Sequence, residues 1–281
     1  MIIGAAYIRL HRGTNQCNSY VIAIVSAHFV GYYGCPFEIA MAGDRQIRRE
    51  IVQFGRMMHE RGYVSAMDGN LSVRLDEDRI LCTPTAMCKG MMHPQDMVIV
   101  DPNGRRLVGR RDVSSEIGMH LLIYRLRPDV HAVVHAHPVT ATGFAAAGMA
   151  LDKPLVSEVV IGLGSIPLAR YGTPGTPELA EALEPFVPEY DAILMANHGV
   201  VTYADSLCGA YMKMETVEHF AQITLVTHIL GRQEPLGNEE LEKLLVVRSR
   251  YQGIRSSATR PLAMVDDSAV SPRKRMPYPE R

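Results

Sequence analysis

The chain has 281 residues, 47% hydrophobic and 21% charged, with a formal net charge of -1. That length allows one large or two ordinary domains with a substantial core, and the near-zero charge gives no electrostatic case for binding nucleic acid or an anionic membrane surface. Cys17, Cys35, Cys82, Cys88 and Cys208 form no CxxC pair and read as reduced thiols of a cytoplasmic protein.

Residues 1–40 stand apart. Up to Gly43 the charged side chains are Arg9, Arg12 and Glu38, whereas the rest of the chain is densely charged. The apolar piece "YVIAIVSAHFVGYYG" is too short to span a bilayer and contains His28. Arg9 and Arg12 upstream would suit a signal peptide, but no convincing small-residue cleavage site follows. The favoured reading is a loose extension, or an upstream stretch preceding a natural start at Met41.

From Asp44, a good N-cap, apolar residues recur at Ile47, Ile51, Phe54 and Met58, an amphipathic helical pattern that Gly62 ends. "NLSVRL" and "RILCTPTA" read as strands around the charged turn "DEDR", and "DMVIVDPNGRRLVG" as a strand, an Asn-Gly turn and a strand. "SSEIGMHLLIYRLRPD" is a helix capped by Ser114 or Ser115 and closed by Pro128. Strand 131–137 follows, and Pro138 opens the next helix. "SEVVIGLGSIPLARY" supplies one or two short strands, and "GTPGTPELAEALEPF" a helix with Thr176 as cap. "DAILMANHGVVTY" is a strand, a tight His-Gly turn and a strand. The longest helix ends at Gly231, a short amphipathic helix covers "NEELEKLLVVRSRY", and the last 25 or so residues are expected to be mobile. These elements predict one mixed, mostly antiparallel sheet with helices on both faces. The organisation is an extension over 1–40, a domain over 41–235, and a helix plus tail over 236–281.

The chemistry-bearing residues begin with "HAVVHAH". On a strand, side chains two apart share a face with Cα atoms roughly 6.5 to 7 Å apart, so His135 and His137 can converge on one ion. The competing reading is a pair of satisfied histidines on a polar strand face. His198 tips the balance, because it ends an apolar strand just before a glycine. A catalytic zinc-type site takes three protein ligands and keeps an open position. His131 shares the face but lies one step further, and reads as a neighbour of the site or as structural. Glu116, in the first turn of its helix, is either a carboxylate favoured by the helix dipole or a general base beside the ion. Hydroxyls and free N–H groups at that helix start suit phosphate, and "DGNLS" and "TPTA" add small hydrogen-bonding residues that are individually turn signals.

Taken in order, "GNLS", "TPTA", "SSE", "HAH", "YGTPGTPELA" and "NHG" resemble the class II aldolase/adducin family over about residues 44–231. The resemblance implies a three-layer α/β/α sandwich, assembled as a homotetramer with active sites between subunits. It makes His135, His137 and His198 the metal ligands and Glu116 the acid/base carboxylate. Asn70, Thr85, Ser114 and Ser115 fall where the family grips the substrate phosphate. The ion is expected to be Zn2+, with Mn2+ or Co2+ able to substitute.

Two departures stand out. Many members have glycine where Ala86 stands, so a positive φ there would strain this wall of the phosphate pocket. Fuculose-1-phosphate aldolase uses a tyrosine from the adjacent subunit as proton donor, and Glu158 in "VSEVV" stands nearest to its place. Glu158 either replaces that acid or is a structural carboxylate. The implied reaction is cleavage of a phosphorylated ketose to dihydroxyacetone phosphate and an aldehyde through an enediolate. Dehydration or decarboxylation of a related phosphosugar is the alternative. The Thr-Thr-His-Ala-Asp signature of the 4-epimerases has no counterpart, which argues against that reaction. A non-catalytic adducin-like module would have lost ligand histidines, and all three are present.

Overall fold

The computed structural model describes residues 43–252, and the expectations for residues 1–40 and for the tail lie outside the described residues. Helix α1 (Asp44–Glu60) buries Ile51, Phe54 and Met58, as its periodicity predicts. Its N-cap is Gly43 rather than Asp44. The Asp44 carboxylate instead lies 3.6 Å from Arg79. Strands β1 (Asn70–Arg74) and β2 (Ile80–Cys82) form the expected hairpin. Two short 3-10 turns lead to β3 (Val98–Val100) and β4 (Arg106–Val108). Asp101 Oδ1 closes their turn by accepting from the N–H groups of Asn103 and Arg105.

Helix α2 (Ile117–Leu126) is capped by Glu116 rather than by either serine. Ser114 instead accepts the Glu116 N–H at 3.3 Å, one turn earlier. Strand β5 (Ala132–Ala136) follows, and Pro138 is the N-cap of α3 (Val139–Ala146). The buried Glu218 carboxylate closes that helix start by accepting the N–H groups of Thr140 and Ala141.

The next segment departs from its expectation. Residues 157–162 form helix α4 (Ser157–Gly162), and only β6 (Leu168–Ala169) is a strand. The β-branched run read as a strand, but Val159 and Val160 are buried against neighbouring helices, and that packing overrides local preference. Helix α5 (Pro177–Leu183) has Thr176 as N-cap, although its hydroxyl donates to Thr173 O. Strands β7 (Ala192–Met195) and β8 (Gly199–Ala204) form the last hairpin. Helix α6 (Leu207–Ile229) is the longest, and α7 (Asn238–Gln252) packs Leu241 against Val160.

The strands make one sheet in the order β4-β3-β2-β1-β5-β8-β7-β6. Among the described residues only β6 and β7 pair in parallel, so the sheet is mixed and mostly antiparallel. Alternation along β5 divides the core. Ala132, Val134 and Ala136 meet α1, α3 and α6, while Val133 meets α2 and α5. The result is the predicted three-layer α/β/α sandwich, with β5 and β8 at the centre and His135 on the α2 face. Buried Arg127, after α2, ties the layers by pairing with Asp129 at 2.7 Å and with Asp191 at 3.1 Å. Cys82, which is buried, and Cys88 are free thiols. Among the described residues, no helix is long and apolar enough to cross a membrane.

Candidate metal centre and active site

The site forms where β5 ends. The β1–β5 register sets Asn70 opposite His135, and the β5–β8 register sets His135 opposite Val201. His198 enters from the β7–β8 turn, where Asn197 adopts φ 55° and the His198 N–H donates to Met195 O. Asparagine tolerates that left-handed conformation better than most residues. The next residue must be glycine, since a Cβ on Gly199 would stand 2.4 Å from the His137 ring and 2.6 Å from Ala136 O.

The three rings pack edge to face, with centroids 4.8 to 5.1 Å apart. One nitrogen from each lies within 4.8 Å of the others. His135 Nδ1 donates to Val200 O at 2.9 Å, so its Nε2 offers a lone pair. That Nε2 lies 3.1 Å from His137 Nε2, and His137 Nδ1 faces Asp68 at 3.5 Å. Lone pairs that converge so closely repel unless a cation or proton lies between them, and this donor set fits a divalent ion. His198 Nδ1 and Glu116 Oε1 are buried without a hydrogen-bond partner.

Glu116 faces the cluster. Its Oε1 is 3.0 Å from His198 Nε2, and its Oε2 is 3.3 Å from His135 Nε2. Burial alone would raise its pKa, but the flanking His135 and His198 outweigh burial and hold it well below the usual carboxylate range. Burial likewise lowers His135, yet Glu116 reverses the sign and raises it. His137, with burial and two neighbouring imidazoles against its charge, is pushed down to about 4.

The phosphate candidates come together partly. The isolated bridge Pro84↔Val113 brings the loop with Thr85 beside Ser114 and Ser115. Thr85 and Ser115 are exposed there, while Ser114 is buried. Ala86 has φ 52°, so the residue that replaces the family's glycine is in the left-handed region. Asn70 is committed elsewhere. Its Nδ2 donates to Glu116 at 2.7 Å and its Oδ1 faces His120, leaving one amide N–H for a ligand.

Glu158 is exposed in the first turn of α4, and among the described residues no contact joins it to Glu116 or the histidines. The single chain does not bring it into the site. His131 is exposed at the other end of β5 and is likewise outside.

Two residues near the site carried no sequence expectation. Buried Lys89 donates to Met67 O at 3.0 Å and Met87 O at 2.6 Å, tying the loop before Asn70 to the loop after Thr85. Burial pushes its pKa down to about 8. His120 is buried behind Asn70, and burial pushes its pKa down to about 3. Glu116, His120 and Tyr124 recur every four residues, a spacing that could have revealed a polar face on α2.

Comparison with known proteins agrees with this geometry. Residues 49–225 match the model of the Class II Aldolase and Adducin N-terminal domain. A 3-oxo-tetronate 4-phosphate decarboxylase from Pectobacterium atrosepticum is 33% identical, covering 67% of this chain and 88% of its own length. A 5-deoxy-D-ribulose 1-phosphate aldolase from Bacillus thuringiensis is 34% identical, covering 70% and 92%. A solved L-fuculose 1-phosphate aldolase superposes with a TM-score of 0.67 at 30% identity, covering 74% and 96%. With matching fold, motif order and sequence, the chain belongs to the class II aldolase and adducin N-terminal domain family.

Proposed function

We propose that the protein is a metal-dependent carbon–carbon lyase acting on a phosphorylated sugar, with aldol cleavage of a ketose phosphate as the favoured reaction. The observation that carries this reading is the convergence of His135, His137 and His198 with the Glu116 carboxylate against them. The histidines would hold one divalent ion, zinc by preference, whose Lewis acidity offsets the negative charge that develops on substrate oxygens during cleavage. Thr85, Ser114 and Ser115 hold the phosphate at the start of α2, which fixes the reacting carbons. Asn70 contributes its remaining amide N–H. Glu116 carries the proton between substrate atoms.

A second reading is decarboxylation, favoured by the likeness to the 3-oxo-tetronate 4-phosphate decarboxylase. Retro-aldol cleavage must remove a hydroxyl proton from the departing aldehyde, whereas decarboxylation starts from a carboxylate and needs no such base. Glu158 would serve as acid only across a subunit boundary of a homotetramer, so light scattering that shows a monomer at micromolar concentration removes that role. Product analysis separates the reactions. Incubation with ketose 1-phosphates, L-fuculose 1-phosphate included, should release dihydroxyacetone phosphate and an aldehyde. Carbon dioxide from 3-oxo-tetronate 4-phosphate, with the ketose phosphates left intact, would establish the decarboxylase instead.

A further inference from the structure

Behind Glu116 a chain of buried polar groups runs across the sheet–helix interface. Asn70 Nδ2 is 2.7 Å from Glu116 Oε2, Asn70 Oδ1 is 2.5 Å from His120 Nε2, His120 Nδ1 is 2.7 Å from Ser72 Oγ, and Ser72 Oγ is 2.7 Å from Tyr124 OH. Asn70 is 4% exposed, His120 1%, Ser72 0% and Tyr124 5%.

Hydrogen-bond chemistry gives this chain one direction. An ionised carboxylate only accepts, so Asn70 must present its NH2 to Glu116 and its carbonyl oxygen to His120. The carbonyl also only accepts, so His120 Nε2 must carry the proton. Burial keeps the ring neutral, which leaves Nδ1 bare. Ser72 must then donate its hydroxyl proton to Nδ1, and Tyr124 must donate to Ser72. Every donor points toward Glu116, and no alternative orientation satisfies every link.

We infer that His120 is a positioning residue for the proton-carrying step, acting through Asn70 to fix the amide that holds Glu116 Oε2 against the histidines. With its imidazole in the Nε2–H tautomer, Asn70 cannot flip without setting two donors against each other at His120 and two acceptors against each other at Glu116. Glu116 therefore has one oxygen held by Asn70 and the other, Oε1, free of hydrogen bonds and turned to His198. This inference rests on the reading of Glu116 as proton carrier.

The first test needs no activity. 15N NMR of the imidazole nitrogens in the full chain should show His120 protonated at Nε2 and bare at Nδ1. The Nδ1–H tautomer would overturn the inference. The second test reads turnover. His120→Phe keeps the ring volume but removes both links, and kcat should fall about 10- to 100-fold, with KM nearly unchanged and metal content intact. His120→Gln carries one donor and one acceptor, and should restore most of the rate. A merely structural role would instead lower stability in both variants and give the glutamine no advantage.

In a Glu116→Gln background, His120→Phe should cost almost nothing further, because the group it positions is already disabled. Multiplicative losses in the double variant would overturn the inference. Slow turnover in Glu116→Gln with parental kcat in His120→Phe would overturn the inference alone. Parental turnover in Glu116→Gln would overturn the proton-carrier reading and the inference with it.

Discussion

Replacing Ala86 with glycine should stabilise the protein, although it removes a methyl group and adds backbone freedom. Ala86 sits at φ 52°, where a Cβ crowds the following carbonyl at a cost of about 1–2 kcal/mol. Glycine relieves that cost but gives back roughly 0.5–1 kcal/mol through the entropy of the unfolded chain. Ala86 is exposed, so little buried area is lost. The balance is a gain of about 0.5–1 kcal/mol, equivalent to a rise in Tm of about 1–4 °C for a domain of roughly 200 residues. Ala86→Val should move the other way, because a β-branched residue fits the left-handed region worse. Calorimetry and urea unfolding of the full chain measure both. A glycine variant that melts at or below the parental temperature would refute the strain argument.

Two further outcomes follow from named contacts. Glu116→Gln keeps size but cannot take up the proton, so turnover should fall by roughly 10² to 10⁴ with substrate affinity nearly kept; parental turnover would contradict its role. Asp191 is buried between Lys213 at 2.8 Å and Arg127 at 3.1 Å, and although burial pushes its pKa up, these two cations outweigh that and depress it. Its stabilisation is therefore present above the unfolded carboxylate value of about 3.9 and is lost as pH falls through the lower folded value. Asp191→Asn should cost about 3 kcal/mol in urea unfolding near neutral pH. That deficit should shrink under acid conditions, and one that stays constant down to the lowest measurable pH would refute the assignment.

Much of the fold was readable because the relevant signals are local. The apolar run of β5, the amphipathic run of α1 and the turn residues of the hairpins each specify an element without reference to distant contacts. The histidines were readable for the same reason, with His135 and His137 two apart on a strand and His198 marked by the glycine behind it. What escaped depends on tertiary contact. Val159 and Val160 carry strand preference but gain more by burial as part of α4. His120 and Tyr124 are hidden in an apolar-looking helix, and their meaning appears only when β1 brings Asn70 and Ser72 beneath them. Lys89 lies in a loop without periodicity, where nothing in the sequence announces that two carbonyls will enclose its ammonium. Glu158 is exposed on α4, where one chain alone joins it to neither Glu116 nor the histidines, so a choice between acid and structural carboxylate depends on assembly that local sequence does not encode.

The account stands or falls on the three imidazoles, and metal analysis of the purified protein reads them directly. The parental chain should hold about one divalent ion, while His135→Ala and His198→Ala should remain folded by circular dichroism and lose it, since a three-ligand site does not survive the loss of one ligand. Full occupancy in either variant would remove that histidine from the ligand set, and a parental chain that takes up no divalent ion even when zinc, manganese or cobalt is supplied would contradict the proposed chemistry altogether.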